Sequence, residues 1–349
     1  MATMKDVAKA AGVSLSTVSN TLSGNIHVTE ATKQRVLEAT KRLNYQKNGI
    51  AADLKSKTMR TIALIVDDLA SPFFSQFIQG IQRVALDNRY DVVACSALGR
   101  KDSMGVKFLQ ERRASGAIVF ASDIAGDLLI DSAGRGLPIV AIDRVIADDR
   151  LVSITVDNTQ GAYLATEHLI QLGHNSIAYI AGSYDSLDDR QRLNGFLQAL
   201  SAYGLSPYSD LRISGNFTED GGYRAIKALV AQKELPSAVF FANDEMAIGG
   251  LRALAAEHIS VPDDISVVGF DDILLAHYVH PGLTTVRQPI YEMGALAMNV
   301  LLSSLTGSPP KTTTYTLSCE LVQRSSCRRW TDSRESDPVV DASLGGRRG

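Results

Sequence analysis

The chain has 349 residues, of which 45% are hydrophobic and 21% are charged, and its net charge is -3. That length allows two or three domains, and the apolar content excludes a disordered chain. No apolar run reaches the roughly 18 residues of a membrane span, and the first residues lack the apolar core of a secretory signal. The three cysteines have no metal-site spacing, so we expect a cytoplasmic protein without a metal or other cofactor.

Charge is distributed unevenly along the chain. Residues 1–60 contain ten Lys and Arg against four Asp and Glu, whereas the other 289 residues contain 25 and 34. A basic module before an acidic body is typical of a nucleic-acid-binding head, because phosphate neutralisation needs clustered Lys and Arg. The alternative is an ordinary basic surface, and charge alone does not separate the two.

The first sixty residues have the pattern of three short helices. A helix over Lys5–Ala11 ends at Gly12, and Ser14 is placed to cap a second helix over Leu15–Leu22. A third helix is predicted to begin after Thr29. Its apolar residues follow at helical spacing: Val36, Leu37, Ala39 and Leu43.

In the second helix, Val18 and Leu22 are predicted to face the core. The remaining side chains then point away from the core and can reach DNA base edges: Leu15, Ser16, Ser19 and Asn20. Any small helical bundle can have this pattern, so DNA binding stays one of two interpretations at this point.

From residue 61 onward, predicted strands alternate with predicted helices. The strands are short runs rich in Val and Ile: Thr61–Val66, Asp91–Ser96, Gly116–Ala121, Pro138–Asp143, Ser176–Gly182, Ala238–Asn243 and Ile265–Asp271. The helices are the longer segments between them: Phe74–Asn88, Thr159–Leu172, Arg190–Tyr203, Gly221–Gln232 and Glu245–His258. This alternation predicts parallel sheets covered by helices, and the length favours two lobes with a ligand cleft between them.

Polar residues stand where four of the predicted strands end. They are Asp67, Asp143, Asn243 and Asp271. Because ligands in such folds bind beyond the carboxyl ends of the strands, we expect these side chains to line the cleft. Asp and Asn also favour turns for local reasons, so a purely structural role remains an alternative for each.

Motifs along the chain resemble those of the lactose-repressor and galactose-repressor family of transcription regulators. The N-terminal motifs are MKDVAKAAGVSLSTVSN and NYQKNGIAADL. Those of the body are SPFF, VDN, RLNGF, FANDEMA, VVGFDD and PGLTTVRQP. The resemblance covers residues 3–326, and the order and spacing of so many motifs exclude a chance match.

The resemblance implies a fold with an N-terminal all-α helix-turn-helix head and an α/β two-lobed, periplasmic-binding-protein-like body with parallel sheets. The head would span 1–47, a hinge helix and linker 48–60, and the effector-binding and dimerisation body 61–326. The N-lobe would comprise 61–157 and 289–317, and the C-lobe 158–288 and 318–326, with chain crossings near Asp157, Gln288 and Leu317. Residues 327–349 are rich in Gly, Ser and charge and are predicted to form a disordered tail.

The family places the second helix in the major groove of DNA. Leu15, Ser16 and Asn20 would then read bases, with Ser14, Thr17 and Ser19 near phosphates. Most relatives carry Arg where this chain has Asn20, and Asn suits adenine as Arg suits guanine, so we expect a different operator sequence. Asn48 and Leu54 would belong to the hinge helix, with Leu54 wedged into the minor groove.

The family also implies a small-molecule effector in the cleft. The corresponding residues are Phe73, Phe74, Asp143, Arg192, Phe217, Asn243, Asp271 and Gln288. Aromatic rings would pack on a sugar ring, and charged and amide groups would bind its hydroxyls. The predicted protein is a homodimeric repressor of carbohydrate-utilisation genes that binds a pseudo-palindromic operator in double-stranded DNA.

Three other classes of protein compete with this prediction. An enzyme is disfavoured, because no dinucleotide-binding, P-loop, nucleophile-elbow or zinc-protease motif occurs and no catalytic residue or metal ligand is predicted. A freestanding sugar-binding protein would have no basic head. A regulator controlled by a purine or by a protein corepressor stays open.

Overall fold

The computed structural model describes residues 2–22, 28–46, 59–97, 103–183, 186–208, 213–232 and 234–331. They form two compact units, one within residues 1–60 and one from Thr61 onward. Among these residues, no helix combines the length and the apolarity needed to cross a bilayer.

The N-terminal unit is a three-helix head made of α1 (Met4–Ala11), α2 (Leu15–Leu22) and α3 (Glu30–Arg42). Thr3 and Asp6 form a reciprocal capping box at the start of α1, and Gly12 ends the helix in the left-handed region with φ of 64°. The helices enclose a small core: Val7, Ala8, Ala11, Val18, Val36 and Ala39. Each helix therefore buries one apolar face, as the sequence predicted.

The N-lobe contains a six-stranded parallel sheet in the order β11-β5-β4-β3-β1-β2. Its strands are β1 (Thr61–Val66), β2 (Asp91–Ser96), β3 (Gly116–Phe120), β4 (Ile139–Ile142), β5 (Leu151–Val156) and β11 (Thr314–Leu317). Its helices are α4 (Phe73–Asp87), α5 (Met104–Glu111), α6 (Gly126–Gly134) and α12 (Ile290–Leu305). Helices α4 and α12 cover one face of the sheet, and α5 and α6 cover the other.

The C-lobe contains the second six-stranded sheet, in the order β12-β10-β9-β8-β6-β7. Its strands are β6 (Ile177–Ala181), β7 (Ile213–Ser214), β8 (Ala238–Phe241), β9 (Ser266–Asp271), β10 (Thr284–Arg287) and β12 (Glu320–Val322). Only the edge strand β12 is antiparallel to its neighbour. The helices are α7 (Asn158–Gln171), α8 (Leu187–Ala202), α9 (Glu219–Val230), α10 (Asp244–Ala256) and α11 (Leu274–Tyr278).

Helices cover both faces of each sheet, and successive side chains of a strand point to opposite faces, so one strand contributes to two cores. In β1, Ile62 and Leu64 belong to the core under α4, while Ala63 and Ile65 belong to the core under α5. The chain passes between the lobes after β5, after β10 and between β11 and β12. These passages bring residues from both lobes to one side of the cleft.

The predicted fold class is confirmed, and all seven predicted strands are present within two residues at each end. Strands β5 and β10 and the edge strands β7, β11 and β12 were not predicted, and these three edge strands are short and only partly buried. In the head, Leu37 is 42% exposed although its spacing indicated a core position.

Residues 327–331, assigned from sequence to the tail, instead pack on the C-lobe. Ser326 is fully buried, Trp330 donates its backbone N–H to the carbonyl of Leu172 at 2.8 Å, and its ring lies 5.7 Å from that of His174. The partly buried indole packs on the C-lobe, a contact that composition alone did not indicate. The rest of the predicted tail lies outside the described residues.

Candidate functional site

A capping serine, Ser14, fixes the first turn of α2. The hydroxyl of Ser14 accepts a hydrogen bond from the backbone N–H of Thr17 at 3.1 Å and lies 2.7 Å from the hydroxyl of Ser16. Val18 anchors the helix with no exposed surface, and Thr21 is buried beside it, while Leu22 is only partly buried. The helix is therefore held with a fixed face towards solvent.

The predicted base-reading side chains lie on that face. Leu15 is 42% exposed, and Ser16 and Asn20 are exposed as well. Thr17 and Ser19 are partly buried at its border. Short polar side chains on an accessible helix can reach base edges in a major groove. Asn48 and Leu54 lie outside the described residues.

The cleft of the body is centred on the buried guanidinium of Arg192 on α8. Its Nε donates to Asn158 Oδ1 at 2.9 Å, its Nη1 donates to the Ala242 carbonyl at 2.6 Å, and Nη1 lies 3.4 Å from Asp271 Oδ1. The guanidinium also stacks 4.0 Å from the ring centre of Phe270. Arg192 is thus a rigid part of the site, held by groups from several elements.

Asp271 ends β9 and is 4% exposed. Its Oδ1 accepts a hydrogen bond from Gln288 Nε2 at 2.6 Å. Burial raises the pKa of Asp271 to about 7, although Arg192 and the Gln288 hydrogen bond favour the ionised form. The φ of Asp271 is 118°, and such backbone strain concentrates at functional sites.

Asp143 occupies the equivalent place at the end of β4, on the opposite lobe. Burial raises its pKa well above the usual range, and the neighbouring carboxylate of Asp188 adds to that rise, while Arg192 opposes it. Burial also raises the pKa of Asp188, which lies at the start of α8. Carboxyl groups of both lobes therefore share one electrostatic environment.

Four buried side-chain polar atoms of the described residues have no hydrogen-bond partner. They are Asp143 Oδ1, Arg144 Nε, Arg144 Nη2 and Gln288 Oε1. Buried polar groups are normally satisfied, so each exception needs an explanation. All three residues lie within two positions of the last residue of a strand, and this places both unsatisfied acceptors and unsatisfied donors at the cleft.

The two predicted phenylalanines of the N-lobe have different environments. Phe73 is partly buried and packs against the cores of both lobes, whereas Phe74 is 8% exposed and belongs to the N-lobe core. Phe74 contacts Phe120 edge to face at 5.2 Å. Consecutive residues of a helix point about 100° apart, so only Phe73 is directed between the lobes. Phe217, on the C-lobe, is partly buried and lies against Gly182.

Asn243 has a local structural role. Its Oδ1 accepts from the backbone N–H of Met246 at 3.0 Å and caps α10, and its Nδ2 donates to the Phe217 carbonyl at 3.1 Å. Both bonds fit the turn-forming alternative, the amide also holds Phe217 in place, and the ligand contact of Asn243 stays a prediction. Asp67 is likewise engaged locally, by the backbone N–H and hydroxyl of Ser122.

A cavity of about 310 Å³ opens beside Asp143, next to the passages between the lobes. Its lining includes Thr155, Asn158, Gln191 and Thr316, from both lobes. On the other side of the cleft the Ser71 hydroxyl donates to Glu245 Oε1 at 2.6 Å, which joins the N-lobe to α10. The lobes therefore contact each other directly.

The sequence did not single out several groups of the cleft. Asn158 orients Arg192 and was visible only as part of the VDN motif, and Asp188 lies in the first turn of α8, outside every quoted motif. Arg144 directly follows Asp143 and could have been found by extending the strand-end argument by one residue. Ser71 and Glu245 are 174 residues apart in the chain, so their contact had no local signal.

Comparisons with known proteins agree for both units. Residues 3–48 match the model for bacterial regulatory proteins of the lacI family, and residues 166–327 match a periplasmic binding protein-like domain. The HTH-type transcriptional repressor PurR of Vibrio cholerae is 34% identical over 95% of this chain and 100% of its own length.

Two solved structures have the same architecture. The lac repressor dimer bound to operator and the anti-inducer ONPF has a TM-score of 0.76 and 28% identity, over 94% of this chain and 99% of that one. A LacI family transcriptional regulator from Enterococcus faecium with bound ribose has a TM-score of 0.72 and 27% identity, over 78% of this chain and all of that one. The chain belongs to the lacI family of bacterial regulatory proteins and is a DNA-binding transcriptional repressor of that family.

Proposed function

We propose that this repressor controls carbohydrate-utilisation genes and that a small sugar in the interlobe cleft sets its operator affinity. One observation carries the proposal: the unsatisfied buried polar atoms of the described residues belong to Asp143, Arg144 and Gln288, at the ends of strands bordering the cleft. Two of these atoms are acceptors and two are donors. A bound molecule that satisfies them must both donate and accept hydrogen bonds.

A sugar hydroxyl meets that requirement, because one oxygen carries a donor and two acceptor positions. Neighbouring hydroxyls of a polyol could bind Asp143 Oδ1 and the free nitrogens of Arg144 at once. Hydrogen bonds to charged groups are about twice as strong as neutral ones and select geometry. The aromatic rings of Phe73 and Phe217 supply apolar faces for the CH groups of a sugar ring.

A purine effector is the alternative, and the similarity to repressors named PurR supports it. The similarity to a regulator with bound ribose supports the sugar. A purine base also offers both hydrogen-bond donors and acceptors, so the four unsatisfied atoms alone do not separate a purine from a sugar. A protein corepressor is the third candidate and would need no ligand in the cleft.

Thermal-shift measurements on the purified full chain would separate these candidates. A ligand that binds only the folded state raises its stability by mass action. We expect a shift with one class among pentoses, hexoses, hypoxanthine and guanine. A shift with a sugar supports the proposal, a shift only with a purine replaces it by the first alternative, and no shift with any compound points to a protein corepressor.

Replacing Arg144 by Met tests the observation that carries the proposal. The change removes two unsatisfied donors while keeping an apolar stem of similar length. We expect sugar affinity to fall by at least roughly tenfold, because a charge-assisted hydrogen bond contributes about 1.5–3 kcal/mol. The matched control is Arg83→Met, whose side chain is 70% exposed and pairs with Asp87 on the surface of α4. Equal affinities in both variants would remove Arg144 from the site.

We further propose that two copies of the chain bind a pseudo-palindromic operator, since a two-fold dimer meets two half-sites of opposite orientation. The similarity to an operator-bound lac repressor dimer supports this. The short helix α11 carries exposed apolar side chains suited to contact a second copy, with Leu274 63% and Tyr278 72% exposed. Tyr278→Asp should shift the chain towards monomer in analytical ultracentrifugation, and an unchanged dimer would place the interface elsewhere.

A further inference from the structure

We propose that the effector carries no net negative charge, so that sugar phosphates, sugar acids and nucleotides are excluded from the cleft. The inference rests on the proposed function, because it concerns the ligand of the same site. It follows from the balance of carboxylates and guanidinium groups that the two lobes bring to the cleft.

The N-lobe contributes one excess carboxylate. Asp67 and Asp143 follow β1 and β4, and Arg144 is the cation beside them. Arg144 is within electrostatic reach of Asp67, and its Nη1 is already bound to the Ile124 carbonyl at 2.6 Å. Its charge is therefore offset by Asp67, which leaves Asp143 without a cation on its own lobe.

The C-lobe has the same imbalance. Asp188, Asp189 and Asp271 all lie near Arg192, the one guanidinium buried among the described residues of this lobe. The exposed Arg190 also acts on Asp188 and Asp189, so three carboxyl groups face two guanidinium groups here. Arg192 is engaged by Asn158, the Ala242 carbonyl and Asp271. Glu245 adds a further carboxylate that acts on Asp271 and accepts a hydrogen bond from the neutral hydroxyl of Ser71.

The carboxylates act on one another across the cleft. Asp188 feels the charge of Asp67, and Asp143 feels the charges of Asp188 and Asp271. Burial and then these like charges raise the pKa of Asp143, and the opposing effect of Arg192 does not offset them. An anionic ligand would bring a further negative charge to a cluster in which the ionised form of the carboxyl groups is already disfavoured.

The polar groups without a hydrogen-bond partner also favour a neutral ligand. Gln288 is 2% exposed and its Oε1 has no partner among the described residues, and Asp143 Oδ1 has none either. The amide oxygen of Gln288 only accepts hydrogen bonds, so it attracts hydroxyl donors and repels the acceptor oxygens of phosphate or carboxylate. The free nitrogens of Arg144 can bind a hydroxyl oxygen without requiring its charge.

Matched ligand pairs test the inference by isothermal titration calorimetry on the full chain. The pairs are ribose and ribose 5-phosphate, glucose and glucose 6-phosphate, glucose and gluconate, and inosine and inosine 5′-phosphate. In every pair whose neutral member binds, we expect the anionic member to bind roughly 30-fold more weakly or worse, as an excess charge at several ångströms predicts in a partly buried site.

Each outcome decides something. An anionic member that binds as tightly as its neutral parent overturns the inference but leaves a sugar effector in place. Binding of inosine alone, with inosine 5′-phosphate rejected, overturns the sugar proposal and supports the charge rule. Absence of binding by both members of every pair overturns both.

The double variant Asp67→Asn with Asp188→Asn supplies a second test. Removing two carboxylates should reduce the ratio between anion and neutral dissociation constants by at least roughly tenfold. Asp131→Asn is the matched control, because Asp131 is exposed on α6. An unchanged ratio in the double variant, equal to that of the control, would show that charge does not select the ligand.

Discussion

Replacing Asp271 by Asn should remove a large part of the pH dependence of C-lobe stability. The change keeps the size of the side chain and an acceptor for Gln288 Nε2, and it removes only the charge. Asp271 is 4% exposed, and burial raises its pKa to about 7 from an ordinary value of 3.8. The carboxyl is therefore easier to bury protonated than ionised.

The size and sign of the effect follow from linkage. Between the two pKa values the folded protein holds a proton that the unfolded chain has lost, so the stability contributed by this group falls as pH rises. A shift of about three pKa units corresponds to about 4 kcal/mol, of which about 3 kcal/mol is lost between pH 5 and pH 8. The amide in Asp271→Asn cannot titrate, so the variant should gain stability over the parent by that amount across this range.

The single tryptophan allows the unfolding of the C-lobe to be followed separately. Trp330 packs beside His174 on the C-lobe, so its fluorescence during urea unfolding reports this lobe and not the head. The free energy of unfolding would be measured from pH 5 to pH 8 for the parent, for Asp271→Asn and for Asp131→Asn, which lies exposed on α6. Equal pH slopes in all three proteins would refute the reasoning, and so would a variant that loses stability relative to the parent as pH rises.

Four further predictions concern single side chains. His174 is 1% exposed, and burial lowers its pKa to about 4. The neutral imidazole should therefore contribute up to about 3 kcal/mol to the free energy of unfolding above pH 6.5, and this contribution should be lost as pH falls towards 4. An unchanged dependence of that free energy on pH in His174→Gln would contradict this. Asn243→Ala should cost about 1 kcal/mol of stability in urea unfolding through loss of the α10 cap, whereas no loss would refute the capping role. Asn20→Arg should shift the selected base from adenine towards guanine at one position of each half-site, while Lys5→Ala should mainly reduce the salt dependence of binding. Selection from a random DNA pool checks the base preference, and a salt titration of operator affinity checks the effect of Lys5→Ala. If Asn20→Arg and the parent select the same DNA sequence, Asn20 does not read a base.

Local patterns predicted the head and the strands well. The capping serine at Ser14 and the buried Val18 depend on residues within one helical turn, so their roles could be inferred from spacing. Buried parallel strands are similarly visible as continuous apolar runs. Polarity at the strand ends led to Asp143 and Asp271, which the structure brings into one electrostatic cluster with Arg192.

The remaining features depend on tertiary contacts that sequence does not reveal. Phe73 and Phe74 are equivalent in sequence and both contact Phe120, but only Phe74 is buried in the N-lobe core, while Phe73 also packs against the C-lobe core. Asn243 was predicted to bind a ligand but uses both its polar atoms within the lobe. Trp330 stands in a polar segment, and its contact with His174 joins residues far apart in the chain. In each case the partner across the fold determines the role.

Reciprocal coupling between operator and sugar is the most direct test of the proposal that a sugar in the cleft sets operator affinity. Fluorescence anisotropy would give the operator dissociation constant with and without the sugar found by thermal shift, using an operator selected from a random pool. Calorimetry would give the sugar dissociation constant with and without that operator. We expect both ratios to be equal and to lie at about 5- to 150-fold, because coupling between two sites is reciprocal. A sugar that binds the cleft and leaves operator affinity unchanged would contradict it.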